Sequence, residues 1–390
     1  MPLRSLLERT TRLPGALDVR RLDVTQDAWL ACAQDVAARN GRLLAMWVDG
    51  TQPVKVFAAL LAEPTVLLLV LELPGPGSTY NSLAELFPAA RRMQRALADL
   101  SGVRARDFDQ RPWLRHAAWA ADYLPLSAGP EPRPAPAPAP AGNVDHYPFV
   151  RVTGEGVHEI PVGPVHAGTI EPGHFRFSVV GEKVLKLEAR LGYVHKGIER
   201  RFTGLRANEG HRLAARVSGD SAVAFSWAYC QAYEALATAT VPARATWLRA
   251  LALECERVAN HLGDLGALGN DAGFAFGQAQ FSRLKEQWLR AQAAALGARY
   301  LLDYVVPGGV PENADAAALA DLASCATETA AQANALRGIY DEHAGVRDRF
   351  AGAGIVSPEL AARLGLCGLA GRASGQVHDL RADLPLPPYD

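Results

Sequence analysis

A chain of 390 residues with 49% hydrophobic and 21% charged side chains can bury a large core. At about 150 residues per domain, it predicts two or three domains. Its formal net charge of −1 and pI near 6.8 provide no excess of cations to neutralise phosphates, so nucleic acid is excluded as a partner. The five cysteines are far apart and form no Cys-x-x-Cys pair, which predicts reduced, buried thiols in a cytoplasmic protein.

No segment of the sequence has the character of a signal peptide or a membrane span. The first fifteen residues, MPLRSLLERTTRLPG, lack the apolar stretch of a secretory signal. The longest apolar run, at 66–71, is far shorter than the ~20 residues that cross a bilayer. Any membrane association is therefore expected to depend on partner proteins.

The first predicted unit, residues 1–127, has the pattern of a small α+β domain. Apolar periodicity, β-branched content and the closing Asn40-Gly41 predict four elements in this order: helix 28–39, strand 43–48, strand 65–73 and helix 81–100. Residues 128–142, AGPEPRPAPAPAPAG, follow with prolines alternating with small residues. That composition cannot bury apolar area and favours extended polyproline II, so we predict a linker that reaches ~45 Å at about 3.1 Å per residue.

The second predicted unit, residues 143–390, opens with a glycine-rich stretch at 163–226 that also carries many titratable groups. Glycines permit close backbone approach, which suits a site lined by main chain. The alternating pattern around 176–183 predicts a β-hairpin. Farther on, apolar spacings of three and four residues predict long helices at 243–266 and 279–303 that pack in a bundle.

Six blocks of this unit occur in one order over some 230 residues: EPGHFRF at 171–177, LGYVHKGIE at 191–199, RVSGDS at 216–221, LECERVANHLGDLG at 253–266, VPGGV at 306–310 and GRASGQVHDLR at 371–381. They resemble the large-subunit family shared by membrane-bound group 4 nickel–iron hydrogenases and the 49 kDa (D) subunit of respiratory complex I. The resemblance implies an iron–sulfur subunit and membrane-arm subunits as partners, and peripheral attachment to the inner face of the cell membrane. It also implies that the chain, which stops at LPPYD, is C-terminally incomplete.

The first unit carries a second resemblance. Residues 87–119, FPAARRMQRALADLSGVRARDFDQRPWLRHAAW, are similar to the 30 kDa (C) subunit of complex I. In that family an Asp-then-Gly helix end precedes an Arg-Pro segment, here Asp99, Gly102, Arg111 and Pro112. The usual Glu-Arg-Glu is replaced by Gln-Arg-Ala at 94–96, and a generic small sandwich stays open as the alternative.

The residues that carry the metal in family hydrogenases are replaced in this chain. Where those proteins have Cys-Gly-x-Cys followed by a histidine, this sequence has Ser218, Gly219, Asp220 and Ser221, then Phe225. Serine hydroxyls are hard and protonated at neutral pH, so they cannot replace thiolates that bridge nickel and iron. We therefore predict that this chain binds no nickel, no iron and no cofactor of its own, and that iron–sulfur clusters belong to a partner subunit.

The resemblance also implies a site. In complex I, a histidine on the hairpin loop and a tyrosine near the old cysteine position contact the quinone headgroup. The histidine position falls on His174, whereas the tyrosine position falls on Gly219. Only the histidine of this pair is therefore present in the chain. The predicted quinone or proton cavity gathers His174, Arg216, Gly219 and Asp220, with His195 and Glu199 on an adjacent helix. In the alternative, Asp220 caps a helix or pairs with Arg216.

Three functions stay open at this point. The first is a subunit of a complex-I-like NADH-quinone oxidoreductase or hydrogenase-related complex, with electron transport coupled to proton translocation and quinone or proton transfer in the vacated cavity. The second is a cofactorless scaffold between an iron–sulfur subunit and a membrane arm, and the third is an active hydrogenase. In each case the isolated chain is expected to expose apolar patches. The sequence does not identify the electron donor, the ion moved or the oligomeric state.

Overall fold

The computed structural model describes residues 9–62, 64–115, 119–120, 122–127, 148–168 and 170–389. The predicted linker at 128–142 lies outside these residues. The described chain is α+β, as the sequence predicts, with strands concentrated in the first unit and helices in the second.

In its described residues, the first unit consists of a five-stranded sheet, a two-stranded pair and two helices. Strand order is β1-β2-β5-β4-β3, with β2 and β5 parallel and the other neighbours antiparallel, and β6 pairs with β7 beside it. The central strand β5 is buried at almost every position, as its continuous apolar sequence predicts. The elements run β1 Thr11–Arg12, β2 Val19–Val24, α1 Gln26–Ala38, β3 Arg42–Asp49, β4 Val54–Ala62, β5 Thr65–Leu73, β6 Thr79–Asn81, α2 Ala90–Ser101 and β7 Arg104–Arg106.

These two helices test the sequence prediction in different ways. Helix α1 begins where Thr25 accepts a hydrogen bond from the Ala28 amide and ends before Asn40, whose φ is 60°, so it is confirmed. The second helix was predicted from residue 81, which is wrong by nine residues. Asn81 ends β6, and its carbonyl accepts a hydrogen bond from the Trp29 indole at 3.0 Å. Pro88 then disfavours helical backbone at the residue before it, and α2 starts at Ala90.

The second unit opens with a three-stranded antiparallel sheet in the order β10-β9-β8. The predicted hairpin is confirmed as β9 and β10, and β8 adds a strand that the sequence pattern did not indicate. Helices follow to the end of the described chain. The elements run β8 Val157–Val162, β9 Gly173–Val180, β10 Lys183–Leu191, α3 Ile198–Phe202, α4 Gly210–Ala214, α5 Ala222–Ala237, α6 Ala243–Asp271, α7 Ala275–Leu296, α8 Ala316–Glu342, α9 Ala344–Phe350, α10 Pro358–Leu364, α11 Gly368–Ala373 and α12 Leu380–Asp383.

The bundle core lies between α5, α6, α7 and α8. The predicted apolar face of α6 is buried at Leu248, Cys255 and Leu262, which follow one another at intervals of two helical turns. The prediction of a helix through residue 303 is wrong, because α7 ends at Leu296. Gly297 terminates it with φ of 81°, a conformation that other residues rarely adopt.

A buried ion pair fixes the loop at 306–309 against the bundle. Arg249 of α6 donates to both carboxylate oxygens of Glu234 on α5, at 3.1 and 2.6 Å, and both side chains are almost fully buried. Arg249 also donates to the Gly309 and Val306 carbonyls. The Gly308 amide donates to Glu234 at 2.7 Å. Every group of this network has a partner, as a buried charged network needs.

The cysteine prediction is confirmed in part. Cys32, Cys230 and Cys255 are free and buried, and burial raises the pKa of the Cys230 and Cys255 thiols to about 12. Cys325 is half-buried, whereas Cys367 is exposed, so the prediction of five buried thiols is wrong there. In the part of the chain that the structure describes, no helix has both the length and the apolar character to cross a bilayer.

Candidate functional site

Three of the sequence blocks that carry the family resemblance meet at the 216–221 loop. Lys196, from the block at 191–199, donates to the Val217 carbonyl at 2.6 Å. Asn260, from the block at 253–266, donates through its side-chain amide to the Asp220 carbonyl. The loop is therefore held from two sides by residues distant in sequence, and it leads directly into α5.

Glu256 on α6 caps the N-terminus of α5. Its carboxylate accepts hydrogen bonds from the Val223 amide at 2.8 Å and the Ala224 amide at 3.4 Å. Ser221, at the N-cap position, makes no side-chain cap hydrogen bond. The alternative in which Asp220 caps this helix is therefore wrong, because a carboxylate from another helix satisfies its free amides.

Burial raises the pKa of Glu256 above its ordinary value. The amide hydrogen bonds oppose this shift, and the nearby Asp220 charge adds to it. Removal from water penalises the charged form more than the amides stabilise it. Glu256 thus binds its proton more tightly than a glutamate in solution does.

At the positions where family hydrogenases have cysteines, this chain has side chains that bear oxygen atoms. The Ser218 hydroxyl donates to the Asp220 carboxylate, and the Asp220 side chain is exposed. Phe225, one turn into α5, is 42% exposed. Hydroxyl and carboxylate oxygens do not fit a centre that requires bridging thiolates. Among the residues that the structure describes, no group of three or more His, Cys, Asp or Glu side chains is placed to hold a metal ion.

Arg216 points away from Asp220. Its guanidinium donates to both carboxylate oxygens of Asp303, at 2.6 and 2.8 Å. The hydrogen bond from Arg216 lowers the pKa of Asp303, and both side chains are partly exposed. The alternative that pairs Asp220 with Arg216 is therefore wrong. Arg216 instead anchors the start of the 216–221 loop to the turn after α7.

His174 lies on β9, opposite Arg190 of β10. Its Nδ1 is 3.1 Å from the Gly163 carbonyl oxygen, and its ring centroid is 5.3 Å from that of Phe149. Its Nε2 is buried without a hydrogen-bond partner in the described residues. Within those residues, no hydrogen bond or ion pair joins His174 or Arg216 to Asp220, so the structure gives the three no direct contact.

His195 and Glu199 were predicted on one helix, which is wrong for His195. Helix α3 begins at Ile198, and His195 precedes it, with its ring centroid 5.7 Å from that of Trp119. Glu199 is exposed on α3 and lines an apolar cleft of about 420 Å³ with Trp47 and Trp113 of the first unit. Both residues therefore face the first unit rather than the 216–221 loop.

A small cleft beneath the 216–221 loop contains polar residues that the sequence analysis did not single out. It has a volume of about 20 Å³, and Gly219, Glu256, Asn260, Lys285 and Gln292 are among its lining residues. Gln292 is 2% exposed, and its Oε1 has no hydrogen-bond partner in the described chain. The apolar spacing of α6 and α7 does not indicate that these polar side chains line a cleft between the helices.

Gly219 offers a direct test of the space around this loop. A Cβ atom at Gly219 would meet no atom within 4 Å, so Gly219→Ala should leave the free energy of unfolding unchanged or raise it by about 0.4–1 kcal/mol. Gly163 is the matched control. Its φ is 79°, and an added Cβ would lie 2.0 Å from the Gly173 carbonyl oxygen, so Gly163→Ala should destabilise by more than about 1 kcal/mol. Denaturant midpoints of both variants measure this, and equal losses would contradict the geometry.

Comparison with known proteins finds a matching family model and similar curated proteins. Residues 271–390 match the family model described as respiratory-chain NADH dehydrogenase, 49 Kd subunit. Formate hydrogenlyase subunit 5 of Escherichia coli is 31% identical over 313 residues, covering 80% of this chain and 55% of that protein. A subunit of NADH-quinone oxidoreductase from Helicobacter pylori is 26% identical, covering 58% of this chain and 56% of that protein.

A solved structure shares the fold. The membrane-bound sulfane sulfur reductase, an archaeal respiratory membrane complex, contains a chain that matches 63% of this one with a TM-score of 0.54 and 23% identity, and 65% of that chain is covered. The chain spans about half the length of the curated relatives it matches first. The 313-residue match is longer than residues 143–390, so it includes part of the first unit as well.

The fold and the blocks around the 216–221 loop define a large-subunit class built on a hairpin sheet and a helical bundle. These matches confirm the resemblance of the chain to the family that unites the large subunits of group 4 membrane-bound hydrogenases with the 49 kDa (D) subunit of respiratory NADH dehydrogenase.

Proposed function

We propose that this chain is a subunit of a membrane-associated, complex-I-like redox complex. In this proposal the 216–221 loop lines a cavity for quinone or proton transfer, and it holds no nickel–iron centre. Support comes from the relatives, whose names are those of NADH-quinone oxidoreductase and hydrogenase subunits. Further support comes from the convergence of three family blocks on that loop.

The single observation that carries the proposal is the chemistry at the start of α5. Family hydrogenases place thiolates there, whereas this chain places the Ser218 hydroxyl on the Asp220 carboxylate. These groups exchange protons and form hydrogen bonds with oxygen-bearing ligands, but they do not bind soft metals. A site of this kind suits proton delivery to a quinone and does not suit hydrogen activation.

His174 is the second group that the proposal uses. Its Nδ1 contact with the Gly163 carbonyl fixes the orientation of the imidazole on β9. A histidine held through one ring nitrogen keeps the other nitrogen for a ligand. In the proposed complex, Nε2, which has no hydrogen-bond partner in the described chain, is the ring nitrogen left for a quinone headgroup.

The proposed partners are an iron–sulfur subunit and membrane-arm subunits, which place the chain at the inner face of the cell membrane. The hairpin sheet supports this part of the proposal, because large apolar side chains on it are exposed. They include Ile160, Val162, Leu187 and Leu191. Antiparallel pairing of Ile160 and Leu187 with Phe177 places them on one face. Exposed apolar patches of this kind mark surfaces that other proteins cover.

The test is purification of the tagged full chain from its native membranes under mild detergent. We expect an iron–sulfur subunit and membrane subunits to copurify, and nickel to stay far below one atom per chain. The partners should be lost when Leu187 and Leu191 are both changed to Ser, whereas Leu236→Ser, at an exposed position on α5, should retain them. An inert monomer with no such partners, or nickel near one atom per chain, would refute the proposal.

A further inference from the structure

We propose that Glu256 is a positioning residue that carries protons for this site, taking them up in the cleft beneath the 216–221 loop and passing them to Asp220. This inference rests on the proposed function, which it deepens by naming the group through which protons enter. Glu256 is placed for the task because its carboxylate accepts from two amides in the first turn of α5, and it lines the cleft together with Gly219 of the loop.

The cleft supplies a place for the proton to arrive. Its volume of about 20 Å³ is enough for about one water molecule, which needs roughly 10–15 Å³ and two to four polar partners. The buried Oε1 of Gln292 is an acceptor without a partner in the described chain, and it belongs to a residue that lines this cleft. Its Nε2 already donates to the Arg299 carbonyl at 2.7 Å, so the amide is held in place.

Titratable and charged groups from each surrounding element lie near Glu256 or line the cleft that it lines. Asp220 contributes a negative charge from the loop, and its effect favours the protonated form of Glu256. Lys285 of α7 lines the same cleft, together with Arg299 and Tyr300 from the segment that follows. Arg299 is already paired with Glu286, at 2.8 and 2.6 Å, so its charge is largely compensated. The cleft is thus acidic on the side of the loop.

This arrangement suits a group that gains and loses a proton during turnover. Burial raises the pKa of Glu256 from its ordinary value, which is the direction that makes a carboxyl a better general acid at neutral pH. Quinone becomes quinol by taking two electrons, here from the iron–sulfur subunit, and two protons. Each of the two protons passes from Glu256 to the Asp220 carboxylate and from Asp220 to the reduced quinone, and Glu256 is reprotonated each time from solvent, through water in the cleft.

The decisive variant is Glu256→Gln in the assembled complex. Glutamine keeps a side-chain oxygen to accept from the Val223 amide, so the cap of α5 and the assembly should survive. Quinone-linked turnover should fall about 10²-fold, the low end of what general acid–base groups contribute. The slow remaining turnover should lose the pH dependence that Glu256 imposes, and Glu256→Asp, which keeps the acid, should recover part of the rate and that dependence.

Glu254→Gln is the matched control. Glu254 lies two residues away on α6, where it pairs with Arg257 and accepts from the Tyr389 hydroxyl. Its loss should change turnover less than about twofold, because an exposed ion pair contributes little to stability and the complex should stay folded. Equal turnover and equal pH profiles in Glu256→Gln and the wild type would overturn the inference, even if Asp220→Asn is inactive and the proposed function stands.

An infrared pH titration of the full chain decides the inference without turnover. The wild type should show one protonated carboxyl that ionises above the ordinary glutamate range, and Glu256→Gln should lack it, whereas Glu254→Gln should retain it.

The melting temperature gives a second measurement. A folded-state pKa that is raised above the unfolded value adds stability at pH values below the unfolded pKa, and this stability is lost as the pH rises through the folded pKa. The melting temperature of the wild type should therefore fall across that window relative to Glu256→Gln. Identical titrations would overturn the inference even if quinone turnover is never found.

Discussion

Arg249→Ala is expected to lower the free energy of unfolding by about 3–5 kcal/mol, the cost of leaving a buried charge without its partner. Arg249 and Glu234 have side chains that are 2% and 7% exposed, so solvent cannot compensate Glu234 after the change. The Gly309 and Val306 carbonyls would lose their donor as well. This is the largest stability effect that we expect from a single substitution in the bundle.

The denaturant midpoint of the full chain, followed by circular dichroism, measures this loss. Arg290→Ala is the control. Arg290 and Glu286 both lie on α7, where they form an exposed ion pair, so this change should lower the free energy of unfolding by less than about 1 kcal/mol. The double change Glu234→Leu with Arg249→Met should recover much of the loss, since apolar replacement of a whole buried pair is often neutral. A loss below about 1 kcal/mol for Arg249→Ala would contradict the buried network.

Asp220→Asn and His174→Ala are each expected to reduce quinone-linked turnover of the assembled complex by at least about 10²-fold. Asparagine keeps a hydrogen-bond acceptor for Ser218 but cannot carry a proton. Alanine removes the imidazole whose Nδ1 contacts Gly163. Neither change touches the buried core, since Asp220 is exposed and His174 is half-buried on β9.

Turnover per assembled complex, with the subunit composition checked by gel, is the measurement. Asp264→Asn is the control, because Asp264 is an exposed carboxylate on α6 outside the 216–221 loop, and its turnover should match the wild type. Unchanged turnover in both site variants, with assembly intact, would mean that the cavity is inactive. The scaffold function would then explain the chain.

Much of the fold followed from local signals. The apolar run of β5, the capped helix α1 and the hairpin of β9 and β10 were predicted because each has a strong periodicity and a clear end signal. The errors fall where tertiary contacts decide. Asn81 pairs in β6, and its carbonyl accepts from Trp29, so the first residue of the predicted helix belongs to a strand, and residues 82–89 form a loop with turns before α2 begins.

The site was predicted in part. The sequence blocks indicated the 216–221 loop, and the structure brings Lys196 and Asn260 to it. The partner of Arg216 was missed because Asp303 lies 87 residues farther along the chain, and no local pattern connects them. Glu256 was missed because its neighbours on α6 formed a regular amphipathic pattern, and only the packing of α5 against α6 gives its carboxylate a role.

Quinone reduction by the purified wild-type complex, supplied with a reduced viologen as electron donor, tests the central claim most directly. We expect quinone to be reduced to quinol at a rate that depends on quinone concentration, with no hydrogen evolved when quinone is omitted. Hydrogen evolution with nickel near one atom per chain, or an intact complex that reduces no quinone, would contradict it.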